Sequence, residues 1–481
     1  MPQVMSIDIV KELIKSYSVG HRHFIRESKV AERYYENKND ILYGTRKSRE
    51  NDPLRNADNR IPRNFHGLLV NQKAAYMFSA PPLFDVGNDT VNKQIADMLG
   101  DKYAKACKDL CIKASNCRVA WLHYWKDDAG NWKYGTIDPK QIIPVYSTDL
   151  DRQLDAVLRN YKTRDAMDGK VIYVWEYWTA ERCCVYKKKS SSISETGLEA
   201  YNIFEMADSP DGSAQMINDF EHGLGEVPFI PFYNNNIPTD DLVNVKPLID
   251  AYDKVFSGFL NDLEDIQEII FILTNYGGED LKTFVNDLKQ YKAIKIETDG
   301  TGGGGGVEAL TISIPIEARE KFLEITRKAI FEQGMGVDPD PQKFGNTSGE
   351  ALKYLYSLLE LKAGLMETEF KLGFGQLVRA ICHHLGAECK QITQTWTRTA
   401  IRSESELADI ATKSTGVISH KTILKNHPWV ENAEEEEKQL KKEEDENVQK
   451  VDLYQQAFKQ QGKQEEEEEE EEEEGGEGDE T

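Results

Sequence analysis

The sequence lacks any long apolar run. Its longest purely apolar stretches, such as Ile269 to Leu273, are far shorter than the about 20 residues that a helix needs to span a bilayer. The first residues also lack the charged and apolar pattern of a secretion signal. We therefore expect no signal peptide and no membrane partner.

Cysteine is scarce and follows no repeated spacing. The seven cysteines are an odd number, and we expect reduced thiols rather than a disulfide framework or a zinc framework. They are Cys107, Cys111, Cys117, Cys183, Cys184, Cys382 and Cys389. Cys107 and Cys111 share a helix face, which favours a core or interface pair.

One Cys/His cluster needs a closer test as a metal site. Adjacent helix residues point about 100° apart, so Cys382, His383 and His384 cannot converge on one ion. Only a chain break at Gly386 would return Cys389 to the cluster, and zinc-ligand spacings are absent. We predict neither a metal nor a cofactor, and we expect two further histidines, His21 and His23, to be solvated.

Motifs for phosphate binding and for nucleophilic catalysis are also missing. A phosphate-binding loop needs Lys and then Ser or Thr directly after its last glycine, whereas Val307 and Glu308 follow the glycine run here. The sequence has no nucleophile elbow and no nucleophile–base pair that stands out. The chain is therefore not predicted to be an enzyme. A DNA-processing nuclease or NTPase remains the alternative, which a metal-dependent turnover assay would reveal.

Positive charge is in short supply. The formal net charge is −24, and residues 434 to 481 contribute −16 of it through 22 acids and 6 lysines. Ten consecutive glutamates, residues 465 to 474, cannot pack together. Proteins that grip nucleic acid usually carry a basic stripe, so we expect any DNA partner to be passed rather than held.

What the sequence does contain is long helical periodicity. Between residues 244 and 276, apolar residues recur at intervals of three and four for about nine turns. They are Leu248, Tyr252, Phe256, Phe259, Leu263, Ile266, Ile270 and Leu273. A second helix is predicted from Pro315 to Gln333 and a third from Gly349 to Leu385, where Thr347 and Glu350 have capping-box spacing.

Two unlike interruptions separate these helices. Residues 277 to 313 predict a small insert with one helix, strands at 293 to 296 and 310 to 314, and a glycine run between the strands. Residues 334 to 348 form a loop of about fifteen residues stiffened by Pro339 and Pro341, although two to eight residues would connect two helices. The length indicates a functional loop, and a plain connector is the alternative.

The remaining pattern predicts an α+β fold that is mostly helical. Helices are expected at 6–18, 21–37, 64–78 and 91–115, and an antiparallel sheet is expected between 119 and 187. Residues 188 to 222 are rich in Ser, Asp and Gly and predict a loop, followed by a strand from Val227 to Tyr233. Short helices are expected at 403–413 and 419–425.

This order of parts resembles the portal proteins of tailed bacteriophages with long non-contractile tails. The resemblance covers about residues 25 to 450. It rests on the order of segments and on the stretches ERYYENKNDIL, NRIPRNFHGLLVNQKAAYMFSAPPLF, HGLGEVPFIPFYNNN, FGNTSG and GVISHKTILKNHPWVENAEEEEKQL. It rests on no catalytic signature.

The resemblance implies an architecture. The implied parts are an N-terminal arm (1–24), a wing (25–243), stem helix 1 (244–276), a clip (277–313), stem helix 2 (314–334), a tunnel loop (335–348), a long wing and crown helix (349–385), a crown (386–450) and an acidic tail (451–481). Copies would form a ring, by resemblance a dodecamer, because long apolar helix faces have no adequate partner within one chain.

The resemblance also implies a function and partners. The ring would be a virion component at the capsid vertex, assembled in the host cytoplasm, through which double-stranded DNA is packaged and later ejected. Its partners would be the terminase, a head-completion or connector protein, and the major capsid and scaffolding proteins. Another structural head adaptor is the remaining alternative, and electron micrographs of the purified protein would distinguish it from a ring.

Candidate site residues follow from these implied parts. The tunnel loop would contact DNA through Val337, Asp338, Pro339, Asp340, Pro341, Gln342, Lys343, Phe344, Gly345 and Asn346. Plausible DNA-facing cations of the stem are Lys321, Arg327 and Lys328, although they can equally be ordinary solvated charges. The clip lysines Lys282, Lys289, Lys292 and Lys295 are candidates for binding a partner protein.

Overall fold

The computed structural model describes residues 7–44, 57–127, 129–165, 169–189, 191–205, 216–265, 270–274, 280, 306–310, 315–339, 349–398, 404–427, 430 and 435–443. The chain divides into two compact units. The first comprises Met1–Asp340 and Leu355–Thr399, and the second comprises Pro341–Tyr354 and Ala400–Thr481.

The first described element is a single long helix, α1 (Ile7–Tyr35), where the sequence predicted two. Its only break signal, Gly20, has open space around it. A glycine inside a helix costs about 1 kcal/mol, and burial of side chains along both halves of α1 outweighs that cost. The boundary predicted between an arm and a wing at residue 24 therefore falls inside one helix.

His21 was predicted to be solvated, and that prediction was wrong. Its side chain is buried on the inner face of α1, and Nε2 lies 3.0 Å from the backbone oxygen of Lys140. Burial lowers the pKa of His21 to about 4, against a smaller opposing effect of that hydrogen bond. His23 is exposed and lies 3.0 Å from Glu27.

The other helices largely follow the predicted periodicity, except that the single helix predicted at 91–115 is two helices, Asp89–Leu99 and Tyr103–Cys117, separated at Gly100, which has φ of 58°. They are α2 (Phe65–Met77), α3 (Asp89–Leu99), α4 (Tyr103–Cys117), α5 (Lys246–Asp265), α6 (Ile316–Gln333) and α7 (Gly349–Leu385). Asn64 caps α2 by accepting the backbone N–H of Gly67 at 3.0 Å, and Asn88 caps α3 in the same way.

The strands pair in antiparallel sheets. They are β1 (Leu83–Asp85), β2 (Val119–Lys126), β3 (Trp132–Ile137), β4 (Ile142–Tyr146), β5 (Leu154–Arg164), β6 (Val171–Trp178), β7 (Arg182–Lys188), β8 (Glu199–Ala200), β9 (Phe204–Glu205), β10 (Met216–Ile217), β11 (Asp219–Glu221), β12 (Phe229–Tyr233), β13 (Ile270–Thr274), β14 (Gly306–Leu310) and β15 (Thr393–Thr395). A six-stranded sheet has the order β11-β7-β6-β5-β4 with β8 beside β7. A three-stranded sheet has the order β12-β2-β3, and β1–β15, β9–β10 and β13–β14 form pairs.

The segment 188–222, predicted as a loop, contains four short strands. β8 and β11 both pair with β7, so this segment extends the six-stranded sheet. The sequence did not predict these strands because most of their residues are exposed or half-buried. Such strands need no alternation of apolar and polar residues, which is the pattern used to predict a strand.

The six-stranded sheet is apolar on both faces. Val157 and Val185 face a core shared with the three-stranded sheet, whereas their neighbours Leu158 and Tyr186 face Val10 and Ile14 of α1. Successive strand residues point to opposite faces, so the two cores alternate along each strand. Thus α1 covers one face of the six-stranded sheet.

The first long helix is shorter than predicted. α5 ends at Asp265, and the last apolar run of the predicted helix forms strand β13, in which Ile270 pairs with Leu310 and Thr274 with Gly306. A short apolar run rich in β-branched residues is compatible with either a strand or a buried helix, and pairing with a distant strand decides between the two. The partner strand is β14, which begins in the glycine run and ends where residues 310 to 314 were predicted to start. The helix predicted near 281 and the strand at 293 to 296 lie outside the described residues.

Two helical cores complete the first unit. α7 buries Ala363, Met366 and Phe370 against α2, α4 and the three-stranded sheet. α5 and α6 pack on α1 and α2 through a second cluster that includes Tyr252 and Ile330. The first core also contains the buried thiols of Cys107 and Cys111, as expected for a core pair.

In the second unit, α8 (Glu404–Lys413) and α9 (His420–Asn426) lie close to the predicted ranges, and residues 435–443 are also helical. Ser419 caps α9 by accepting the backbone N–H of Thr422. The α+β, largely helical class is confirmed. Within the described ranges, none of the helices is long and apolar enough to cross a membrane.

Candidate functional site

The candidate site begins where α6 ends. Gly336 N–H donates to the oxygen of Phe331 at 2.9 Å and Met335 N–H to that of Glu332 at 3.2 Å. This is a Schellman motif, and Met335 occupies its left-handed position with φ of 51°. The motif turns the chain sharply out of the helix into the candidate tunnel loop.

Glycine is required on both sides of that methionine by close packing. A Cβ atom on Gly334 would lie 2.5 Å from Leu69 Cδ1, and one on Gly336 would lie 2.2 Å from Leu69 Cδ2. Both distances are too short for any real contact, so the loop can lie against α2 only because these two positions have no side chain.

The first loop residues are held by side chains. Gln72 on α2 donates to the oxygen of Val337 at 2.7 Å and accepts its N–H at 3.1 Å, as a neighbouring strand would. Arg327 on α6 reaches Asp338 at 2.7 Å. Val337 is buried. The start of the loop is therefore fixed to α2 and α6, which gives the following residues a defined point of departure.

Beneath this turn lies a buried charge cluster. Asp241 Oδ2 lies 2.6 Å from Lys73 Nζ and 3.1 Å from Lys362 Nζ, and Asp241 Oδ1 accepts a hydrogen bond from Asn234. Lys362 also donates to the backbone oxygen of Gly334 at 2.9 Å. The cluster thus joins α7, α2 and the segment after β12 to the end of α6.

The electrostatics of this cluster favour its charged form. Burial by itself raises the pKa of Asp241, but the charges of Lys362 and Lys73 outweigh burial and hold it far below its usual value. Burial lowers the pKa of Lys362, partly offset by Asp241. Two ammonium groups face one carboxylate, and the partly negative C-terminal end of α6 offsets the excess positive charge.

The three candidate stem cations all have carboxylate partners within the chain. Lys321 lies 2.8 Å from Glu324 and Lys328 lies 3.7 Å from Glu332, while Arg327 binds the loop residue Asp338. The side chains of Lys321 and Lys328 remain 66% and 70% exposed, so exposed pairs of this kind leave them accessible to a phosphate. Arg327 instead positions the loop.

The other candidate residues lie outside the described part of the chain. These are the loop residues Asp340, Pro341, Gln342, Lys343, Phe344, Gly345 and Asn346, and the lysines Lys282, Lys289, Lys292 and Lys295. Pro339 is described and exposed.

Sequence reasoning missed the residues that hold the loop. Lys362 sits between Leu359 and Met366, three and four residues away on the buried face of α7. A lysine on an apolar helix face needs a buried partner, and that was the available signal. No comparable signal marks Gln72 or Asp241.

A second missed feature lies along α5. Asp253, Ser257 and Asn261 repeat every four residues and accept the backbone N–H groups of Arg63, Ile61 and Asn59 at 2.9, 3.0 and 2.7 Å, respectively. Segment 59–63 is therefore held as a strap along the helix.

The predicted exclusion of a Cys/His metal site can be tested only for the described residues. Among them, no group of three or more His, Cys, Asp or Glu side chains is placed to hold a metal ion. The chain does break at Gly386, where Ala387 N–H bonds the oxygen of Cys382, and Cys389 packs near Cys382. All seven cysteines are free thiols.

The chain matches a family model and curated proteins of tailed phages. The family model described as "Phage portal protein, SPP1 Gp6-like" matches residues 14–450. A portal protein of Clostridium phage phiCD119 is 42% identical over 451 residues, covering 90% of this chain and 95% of that protein. A portal protein of Bacillus phage SPP1 is 29% identical over 391 residues, covering 79% and 75%.

A solved structure also matches, at a lower level. It is the neck of a native GTA particle computed with C12 symmetry, which covers 75% of this chain and 88% of that chain at 12% identity and a TM-score of 0.40. A likeness at that level carries no argument about subunit number.

Proposed function

Because the chain belongs to the SPP1 Gp6-like family of phage portal proteins, we propose that its copies form a closed ring, by resemblance a dodecamer, through which double-stranded DNA enters and leaves the capsid. The family match over residues 14–450 is the observation that carries this proposal. Portal proteins are structural components of the virion, and the ring would act as a passive conduit driven by a separate terminase.

Exposed apolar residues on the long helices support a ring. Leu358, Leu361, Leu365 and Leu372 follow helical spacing along α7, and their exposed fractions run from 38% to 65%. Phe322 and Ile325 are similarly exposed on α6. Large apolar stripes of this kind usually mark interfaces, and neighbouring copies would cover them.

Electron microscopy of the purified protein tests the ring directly. We expect rings with a central hole for the wild type and small species for Leu361→Glu/Leu365→Glu, because buried, unpaired carboxylates would oppose association. A control of the same charge, Leu150→Glu/Ile237→Glu, changes apolar residues that are more exposed and lie outside the stripe, and it should leave rings intact. A folded wild-type monomer that does not self-associate would contradict the proposal.

The tunnel loop would contact the moving DNA. Support comes from its length and from the fixed start at Val337 and Asp338. Replacing residues 337–345 by a short Gly/Ser link should slow DNA packaging while rings still form. The same replacement of residues 127–131, between β2 and β3, is the control. Packaging at the normal rate by the loop variant would refute this role.

The clip would bind the terminase and the head-completion protein, and the crown side would meet the capsid and scaffolding proteins. The strands β13 and β14 flank residues 275 to 305, which include the four candidate lysines of the predicted clip, 277 to 313. Charge reversal of Lys282, Lys289, Lys292 and Lys295 should weaken terminase capture by immobilised rings. Unchanged capture would remove these lysines from the interface.

A further inference from the structure

The outer face of α1 carries a row of cations in an otherwise acidic protein. Lys15, Arg22, Arg26 and Lys29 are separated by seven, four and three residues, so they lie on one side of the helix. All four are exposed. No Asp or Glu occurs between residues 13 and 26, although the chain carries a net charge of −24.

The fold keeps these cations free. In the described residues, Arg22, Arg26 and Lys29 take part in no ion pair, and Lys15 has only the exposed Glu12 at 3.7 Å. The helix itself is fixed, because Val10, Ile14 and His21 are buried on its inner face. The cationic stripe is therefore presented to solvent by a rigid element.

Acidic residues of α1 that could neutralise the stripe are engaged elsewhere. Glu27 binds Arg118 at 2.6 Å and also His23, and Glu32 pairs with Lys140. Arg118 and Lys140 lie outside α1, and His23 lies beside the stripe. Both carboxylates are therefore bonded to residues other than the four cations. The four cations lack such a neutralising partner of comparable strength, which is the arrangement of an anion-binding surface.

We propose that this stripe binds the phosphate backbone of double-stranded DNA without regard to sequence, at a surface separate from the tunnel loop. Lys15 to Lys29 spans about 21 Å of helix, and the same length of duplex carries about 12 phosphate charges. The stripe lacks the amides and aromatics that read base edges.

The number of contacts predicts weak and salt-sensitive binding. Four neutralised phosphates give a slope of log affinity against log salt of about −3.6, so affinity falls about 150-fold between 50 and 200 mM salt. Binding of this strength restrains DNA that lies against the protein and still allows the DNA to move.

Binding of covalently closed circular DNA reports on this surface and not on the channel, because a closed circle cannot be threaded through a closed ring. Filter binding of relaxed circular duplex to the full-length protein is measured from 50 to 200 mM salt. For Arg22→Gln/Arg26→Gln/Lys29→Gln, loss of three contacts should reduce the salt slope by about 2.7.

Two further variants make the result decisive. Lys93→Gln/Lys108→Gln/Lys189→Gln removes the same charge from exposed lysines elsewhere and should bind as the wild type does. Arg22→Lys/Arg26→Lys/Lys29→Arg keeps the charge and should retain binding. It also provides a folded comparison if the glutamine variant fails to fold.

Three outcomes would overturn the proposal: unchanged DNA binding by the glutamine variant, equal loss in the control triple, or loss of binding in the charge-conserving variant. Unchanged DNA binding combined with poor incorporation of the portal into capsids would assign the stripe to a protein partner instead. Ring formation and linear-DNA packaging report separately on the proposed conduit function.

Discussion

Asp253, a residue of α5, has a completely buried carboxyl group. Its Oδ2 accepts from Asn39 Nδ2 at 2.6 Å and its Oδ1 from the N–H of Arg63 at 2.9 Å. Burial raises its pKa to about 6; these hydrogen bonds and the charge of Arg63 oppose the shift, and nearby Asp250 adds to it. Because this pKa lies close to neutral pH, the protonation of Asp253, which holds one end of the strap, changes with pH in an accessible range.

The sign of the resulting pH dependence is fixed. Between pH 4 and 6 the folded chain keeps a proton on Asp253 that the unfolded chain releases, so this contribution to stability is lost as pH rises through about 6. The loss is at most about 3 kcal/mol. Thermal midpoints of Asp253→Asn should therefore change less between pH 4 and 6 than those of the wild type.

The control for this titration is Asp97→Asn, which changes an exposed acid on α3. Its midpoints should follow those of the wild type across the same pH range. Parallel curves for Asp253→Asn and wild type would show that Asp253 does not titrate in this interval.

At the scale of elements, the strap on α5 depends on the similar repeat distances of an α-helix and an extended chain. Four residues of an α-helix rise about 6.0 Å, and two residues of extended chain span about 6.6 Å. Side chains on every fourth residue of α5 can therefore meet the N–H of every second residue in segment 59–63. The strap fastens the chain before α2 to the helix that leads toward β13.

Ser257 is the middle contact of this series. Ser257→Ala should leave the N–H of Ile61 without its partner at 3.0 Å and cost about 1–3 kcal/mol. Hydrogen exchange should quicken at Ile61 and its neighbours in the strap, with α5 itself protected as before.

The comparison for Ser257→Ala is Lys254→Ala, an exposed position on the same helix. It should change neither the thermal midpoint nor the exchange of the strap. Equal exchange at Ile61 in the Ser257 variant and the wild type would mean that water replaces the hydroxyl without loss.

At the scale of the whole first unit, one buried cluster connects separate parts of the chain. Asp241, Lys73 and Lys362 come from a loop and two helices, and of these three Lys362 donates to the carbonyl of Gly334, next to the candidate tunnel loop. The end of α6 is therefore joined to α7 and α2 through this buried ion-pair cluster.

The two sides of this cluster predict unequal losses. Asp241→Asn leaves two buried ammonium groups without a carboxylate and should cost about 3–5 kcal/mol. Lys362→Met leaves the Lys73–Asp241 pair balanced and removes one hydrogen bond to Gly334, a cost of about 1–3 kcal/mol.

Thermal unfolding and hydrogen exchange at residues 335–337 separate these effects. Lys362→Met should loosen the loop start with a small change in midpoint, whereas Asp241→Asn should lower the midpoint strongly. A larger loss of stability in Lys362→Met than in Asp241→Asn would contradict the assigned charge balance.

Some of this architecture could be predicted from local pattern alone. Helical periodicity predicted most of the residues of α2, α4, α6 and α7, and apolar alternation predicted strands such as β6. These elements bury side chains at regular intervals, so their sequences show a periodic apolar pattern. The resemblance to portal proteins, drawn from segment order, is confirmed by the family match. These features depend on neighbours within a few residues, which the sequence displays directly.

The tertiary structure decided what depends on distant partners. Ile270–Thr274 is a strand because Gly306–Leu310 lies beside it, and Lys362 tolerates burial because Asp241 and the oxygen of Gly334 are placed to receive it. The row of cations on α1 has meaning only after the fold shows which face is buried and which acids are already paired. Such contacts join residues tens to hundreds of positions apart, and no local pattern encodes them.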